Sequence, residues 1–157
     1  MPVFTGEERS FGLEQPVERP AIIPDDVLKI LRQNSDISTC PVSEELRNTI
    51  PASWYEASEV HLNGASQGDL IVKAKNACFW GPNLGPFWIF KGTAHHGHRL
   101  VLSTVAVGLD VLTTQTKGLH DIRMFAFVSL EPSYVRYKFD GNEYQAVSHD
   151  QRRLADK

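Results

Sequence analysis

Residues 59–90, EVHLNGASQGDLIVKAKNACFWGPNLGPFWIF, decide the fold. Two β-like runs, at 59–62 and 70–73, flank a Gly-rich turn. A third run, at 87–90, follows a loop whose two glycines and two prolines stand behind the aromatic pair Phe79-Trp80. Short runs of β-branched and aromatic residues bounded by Gly, Asn, Asp and Pro are strand signals. Outward from this block, the chain before it reads as helical and the chain after it as rich in strands.

Residues 1–20 mix charges, prolines and glycine without periodicity, and they read as an extended or disordered arm. Ile22 and Ile23 are expected to anchor its end. Pro24 suits a first helical position, Asp25 and Asp26 suit a first turn, and Val27, Leu28, Ile30 and Leu31 share one helical face. Asn34, Ser35 and Asp36 should end that helix. A second short helix is expected at 43–49, capped by Ser43, with Leu46 and Ile50 on one side and Pro51 as its stop. From Trp54 onward the expected strands are 59–62, 69–74, 87–91, 99–104, 109–115, 122–130, 134–139 and 144–147. Their connections are mostly too short for a parallel crossover, so the sheet should be antiparallel. In 122–130, Ile122, Met124, Ala126, Val128 and Leu130 share one face, and Phe125 and Phe127 take the other. The expected fold is therefore α+β: one or two N-terminal helices packed on a single twisted antiparallel sheet, a meander of six to eight strands. A single domain would span 21–150, with a polar tail at 151–157.

Composition narrows the function classes. The chain of 157 residues can bury a real core, and 41% hydrophobic residues is a globular share. A net charge of −3 argues against nucleic acid as a partner. No run reaches the roughly 20 apolar residues that span a bilayer as a helix. Cys40 and Cys78 are too few for a thiolate zinc site, and on the residues alone they read either as one disulfide or as two buried thiols. Residues 1–9 lack the basic and apolar regions of a secretory signal, which fits a cytoplasmic chain or a mature exported form.

Four stretches carry candidate chemistry. The turn at 61–69 is similar to the D-x-N-G-D-G-x-x-D calcium loop of FG-GAP-type repeats. Its first and fifth positions are His61 and Ala65, however, leaving Asn63, Gln67 and Asp69 as oxygen ligands where calcium wants six to eight. The plainer account is a structural hairpin in which Gly64 and Gly68 supply positive φ. His95, His96 and His98 could ligate a transition metal, but neighbours in an extended segment point apart, so solvated loop histidines are the plainer account. Around the 81–86 loop, Trp80, Leu84 and Trp88 are candidate partner-binding anchors, since large aromatics concentrate at interface centres; the alternative is that the aromatics here are core. Nucleophile chemistry finds little support. There is no G-x-S-x-G elbow, no phosphate or dinucleotide loop and no cofactor motif, and Cys78 sits between apolar neighbours that do not activate a thiolate. His120 adjoins Asp121, but strand neighbours face opposite sides.

Leu62-Asn63-Gly64 with Asp69-Leu70-Ile71-Val72, Asn76-Ala77-Cys78 with Phe87-Trp88-Ile89-Phe90, Thr116-Lys117-Gly118-Leu119-His120-Asp121-Ile122, and Tyr137-Lys138-Phe139-Asp140-Gly141-Asn142-Glu143-Tyr144 together resemble a group of small bacterial proteins without an assigned activity, many of them exported. The likeness spans 54–147 and rests on turns and strands. It implies a cell-envelope location, periplasmic or secreted, and it favours a Cys40–Cys78 bridge. The function expected is a non-catalytic module that binds a protein partner, of inhibitor or immunity type, without a cofactor. The alternatives are a small hydrolase whose histidine and carboxylate meet only in the fold, and a metal binder built on the His-rich loop.

Overall fold

The computed structural model describes residues 9–38, 40, 42–63, 68–80, 84–95, 97–128 and 130–151. Residues 1–8 of the arm, Gly64, Ala65, Ser66 and Gln67 of the turn, Gly81, Pro82 and Asn83 of the aromatic loop, His96 and the tail at 152–157 lie outside the described residues.

Ten strands make two five-stranded antiparallel sheets, where the sequence suggested one sheet of six to eight. The strands are β1 (Ser10–Gly12), β2 (Pro20–Ala21), β3 (Tyr55–Val60), β4 (Asp69–Ala74), β5 (Gly85–Gly92), β6 (His98–Ala106), β7 (Gly108–Thr116), β8 (Leu119–Val128), β9 (Glu131–Phe139) and β10 (Tyr144–Gln151). The inner sheet has the order β2-β3-β4-β5-β6, and the outer sheet β1-β7-β8-β9-β10. From β3 to β10 the chain is an up-and-down meander. It changes sheets between β6 and β7 through Val107 alone. The eight long strands lie where turn residues bracket β-formers. β3 begins four residues earlier than expected, because Glu56, Ala57 and Ser58 are weak β-formers that take strand geometry from their pairing with Lys73, Val72 and Ile71.

The inner sheet is covered on both faces. Toward the outer sheet it sends Val60, Ile71, Phe87, Ile89 and Val101, which meet Leu109, Val111, Ile122 and Phe139 in one core. Toward the other side it sends Tyr55, Leu70, Val72, Trp88 and Phe90, which pack under helix α1 (Asp25–Gln33) through Val27 and Leu31. This double coverage is why residues 70–72 of β4 and 87–90 of β5 read as continuous apolar runs rather than alternating ones. Helix α1 is amphipathic as its spacing implied, with Pro24 at the N-cap rather than the first helical position. Ile23 packs against the helix-side core, but Ile22 is 92% exposed and anchors nothing. The segment Glu44–Thr49 is a 3-10 helix with no side-chain cap; Ile50 beyond it is buried, while Leu46 is half exposed. Cys40, beyond α1, is disulfide-bonded to Cys78 in the short helix after β4, so the helical layer is stapled to the inner sheet. No helix among the described residues is long and apolar enough to cross a membrane.

The N-terminal arm is tied to both sheets. Its β1 pairs with β7, and Phe11, Leu13 and Val17 enter the inter-sheet core. Lys73, on the inter-sheet face of β4, is 2% exposed. Its ammonium donates to the carbonyls of Gly12 (2.6 Å), Leu13 (3.4 Å) and Gln15, and it lies 3.5 Å from the Glu56 carboxylate. A buried ammonium is tolerable only with such partners. The arm thus closes over a charge that the sheet supplies.

Candidate interaction surface

The expected anchors fall in three different environments. Trp88 is 1% exposed in the core under α1, edge-on to Tyr55 at 5.6 Å, with its indole N–H toward the Asn34 carbonyl; it offers no surface to a partner. Trp80 is partly buried, packs against both cores and donates from Nε1 to the Ala74 carbonyl at 3.2 Å. Leu84 is partly exposed. A side chain wedged between two cores carries stability. Trp80→Ala is therefore expected to cost about 2–3 kcal/mol, below the 3–5 of a fully buried tryptophan. A thermal melt reads this directly, and an unchanged midpoint would return Trp80 to the role of a surface anchor.

The histidines do not converge. His95 is exposed, and no group of three His, Cys, Asp or Glu side chains suited to a metal occurs among the described residues. His98 instead places Nδ1 within 3.0 Å of Asp26 Oδ2, joining β6 to the first turn of α1. In the turn at 61–69, the Asp69 carboxylate is fully buried and accepts from the backbone N–H of Leu62 (3.0 Å) and Gly92 (2.8 Å). His120 and Asp121 part company as strand neighbours should. His120 Nδ1 donates to the Leu112 carbonyl at 2.7 Å, and Asp121 accepts from Thr114 (2.6 Å) and Thr116 (2.7 Å).

Tyr144 lies beside these buried carboxylates and donates to the His120 carbonyl at 2.7 Å. Burial, reinforced by the charges of Asp69 and Asp121, pushes its pKa well above the ordinary value. The fold favours the neutral phenol, so this stabilisation is complete below pH 10 and is lost as pH rises past it. Tyr144→Phe is expected to flatten the fall in stability above pH 10 while costing about 1 kcal/mol at neutral pH for the lost hydrogen bond. Tyr55, also raised by burial, would leave a smaller slope of the same sign. Denaturant midpoints at pH 8 and pH 11 give the comparison; an equal fall in both proteins would show that Tyr144 does not govern the alkaline limb.

A concavity lies elsewhere, on the face of the outer sheet turned away from the inner one. It is a groove of about 590 Å³ between arm residues 10–15 and the side chains of Val107, Asp110, Phe125 and Phe127. Phe125 can lie flat there because residue 108 is glycine; a Cβ at Gly108 would stand 2.4 Å from the Phe125 ring. Phe127 meets Phe125 edge-on at 6.4 Å and remains 52% exposed, and Leu130, in the following turn, is 95% exposed. Tyr134 packs on Phe125 at 6.1 Å, and the Arg123 guanidinium sits over its ring at 5.2 Å. Arg123 also donates to Asp110 at 2.9 Å, and Asp110 accepts from Ser10 at 2.8 Å. No histidine lines this groove, so the His98–Asp26 contact and the concavity are separate features. Sequence reasoning set Phe125 and Phe127 apart from the core-facing residues of their strand without singling them out as a site. The signal was that two large aromatics alternate with Met124 and Ala126.

Comparison with known protein families, with curated proteins and with solved structures finds no match to this chain.

Proposed function

We propose that this chain is a non-catalytic protein-binding module of the bacterial cell envelope, of inhibitor or immunity type, and that it binds through the outer face of its outer sheet. The observation that carries this reading is the groove beside a half-exposed Phe127 on a sheet face that no further layer covers among the described residues. Contiguous exposed apolar side chains beside a concave site are what protein partners use. The Cys40–Cys78 disulfide supports an oxidising compartment. The test is a pull-down from the native organism with the wild-type domain and Phe127→Ala as paired baits. The expected result is a partner that the variant binds with about 2 kcal/mol less affinity, roughly thirtyfold, at an unchanged melting temperature. A partner retained equally by both baits would count against this face.

A hydrolase is the second reading, and it rests on the His98–Asp26 contact, which fixes the ring as a general base requires. It predicts a turnover that His98→Ala abolishes and Phe127→Ala spares.

A further inference from the structure

Phe127 and Leu130 stand three residues apart on one hairpin, and neither belongs to either core. Phe127, near the end of β8, is 52% exposed, and Leu130, in the turn to β9, is 95% exposed. Three residues of chain span at most about 11 Å, so the leucine lies beside the groove that Phe127 lines. Its exposure shows that it does not fold into its own groove. Scattered exposed leucines need no explanation, but an exposed leucine next to an apolar groove puts a projection and a socket on one surface. The charges around them are of both signs. Arg123, Arg136 and Lys138 are set against Asp110, Glu14 and Asp150, the last opposite Tyr134, and the carboxylates of Asp140 and Glu143 meet Gln145 beside Lys138. With the two signs interspersed, a copy of the same face does not meet a uniform field of like charge.

We infer that the occupant of the groove is a second copy of this chain: across a two-fold axis at the β8–β9 hairpins, Leu130 of each copy enters the Phe125–Phe127 groove of the other. Position decides in favour of a closed pair. A projection and a socket on opposite sides of a molecule build an open filament, whereas side by side they satisfy each other about a two-fold axis and stop at two. Gly108 keeps the floor of the socket low, because the Phe125 ring occupies the space that a Cβ would fill. Each copy withdraws one leucine from water and covers one phenylalanine, so apolar burial rather than charge drives the association. The contact is small for an obligate dimer and fits one that dissociates on dilution. The inference rests on the proposed binding face and names what covers it when no other partner is present; a partner at the same face then has to displace the second copy.

The experiment is sedimentation velocity of the full chain over a concentration series, with melting temperatures read alongside. The expected result is a monomer–dimer equilibrium with nothing larger. Leu130→Ser and Phe127→Ala should each weaken dimerisation about a hundredfold, because a loss of about tenfold per contact is counted twice in a two-fold pair. Leu130→Ser should leave the melting temperature of the monomer unchanged. That variant keeps its socket and Phe127→Ala keeps its leucine, so an equimolar mixture rebuilds one contact of the two and should dimerise more strongly than either alone. A monomer at every concentration up to millimolar, species larger than a dimer, a dimer indifferent to Leu130→Ser, a mixture no stronger than its components, or a fall in melting temperature with Leu130→Ser would each overturn the assignment. A pull-down partner that still depends on Phe127 would in that event leave the protein-binding reading standing and remove only the second copy.

Discussion

Lys73→Met is expected to lower stability by about 3–5 kcal/mol, the cost of removing one member of a buried charged set. Methionine nearly matches the lysine stem in length and fills the same channel, so the loss reports the ammonium rather than a cavity. Without it, the carbonyls of Gly12, Leu13 and Gln15 lose a common donor, and Glu56 loses its counter-charge. The arm should then lift. Phe11, 4% exposed in the native fold, should become a chymotrypsin site well below the global unfolding midpoint. Adding Glu56→Gln should recover part of the loss, because it removes the stranded carboxylate. A denaturation midpoint unchanged by Lys73→Met would show that the arm is held by Phe11, Leu13 and Val17 alone.

Reducing the Cys40–Cys78 bridge, or replacing both residues with serine, is expected to cost about 4 kcal/mol, the chain-entropy value for a closed loop of 38 residues. For a domain of this size that corresponds to a fall in melting temperature of roughly 8–16 °C. The loss should be local at first, since the bridge ties the segment after α1 to the short helix between β4 and β5, while the outer sheet is remote from it. Hydrogen exchange in α1 should rise before exchange in β8 and β9. Melts with and without reductant that coincide within a degree or two would mean that packing under α1, through Val27, Leu31 and Trp88, already fixes the helical layer.

Turn chemistry made much of this architecture legible. Asp140 accepts from the N–H groups of Asn142 and Glu143 between β9 and β10, a hairpin visible as Asp-Gly-Asn, whereas the tight Lys117-Gly118 turn between β7 and β8, both residues at positive φ, lies inside the gap that the expected strands 109–115 and 122–130 left open. The division into two sheets was not visible. Ala106-Val107-Gly108 looks like any short connection, and nothing local says that the strands on either side of it belong to different layers. Strands β1 and β2, of three and two residues, carry no periodicity, and their place is set by partners far along the chain. The same limit governed the site. Phe87-Trp88-Ile89-Phe90 and Met124-Phe125-Ala126-Phe127 are both aromatic-rich strand sequences. Only the stacking order of the layers buries Trp88 and leaves Phe127 open.

The pairing of β1 with β7 has a consequence for the order of assembly. The hairpins from β3 to β10 join neighbours in sequence, whereas Ser10 meets Asp110 a hundred residues away. Contacts of such separation carry the largest loop-closure cost and form when the rest of the chain is already in place. The arm is one wall of the groove, so the groove comes into being with the last step of folding and is the first feature lost when the native state opens. A nascent or partly unfolded chain therefore has both sheets but no finished groove, and the binding proposed for this face would be confined to molecules that have completed their fold.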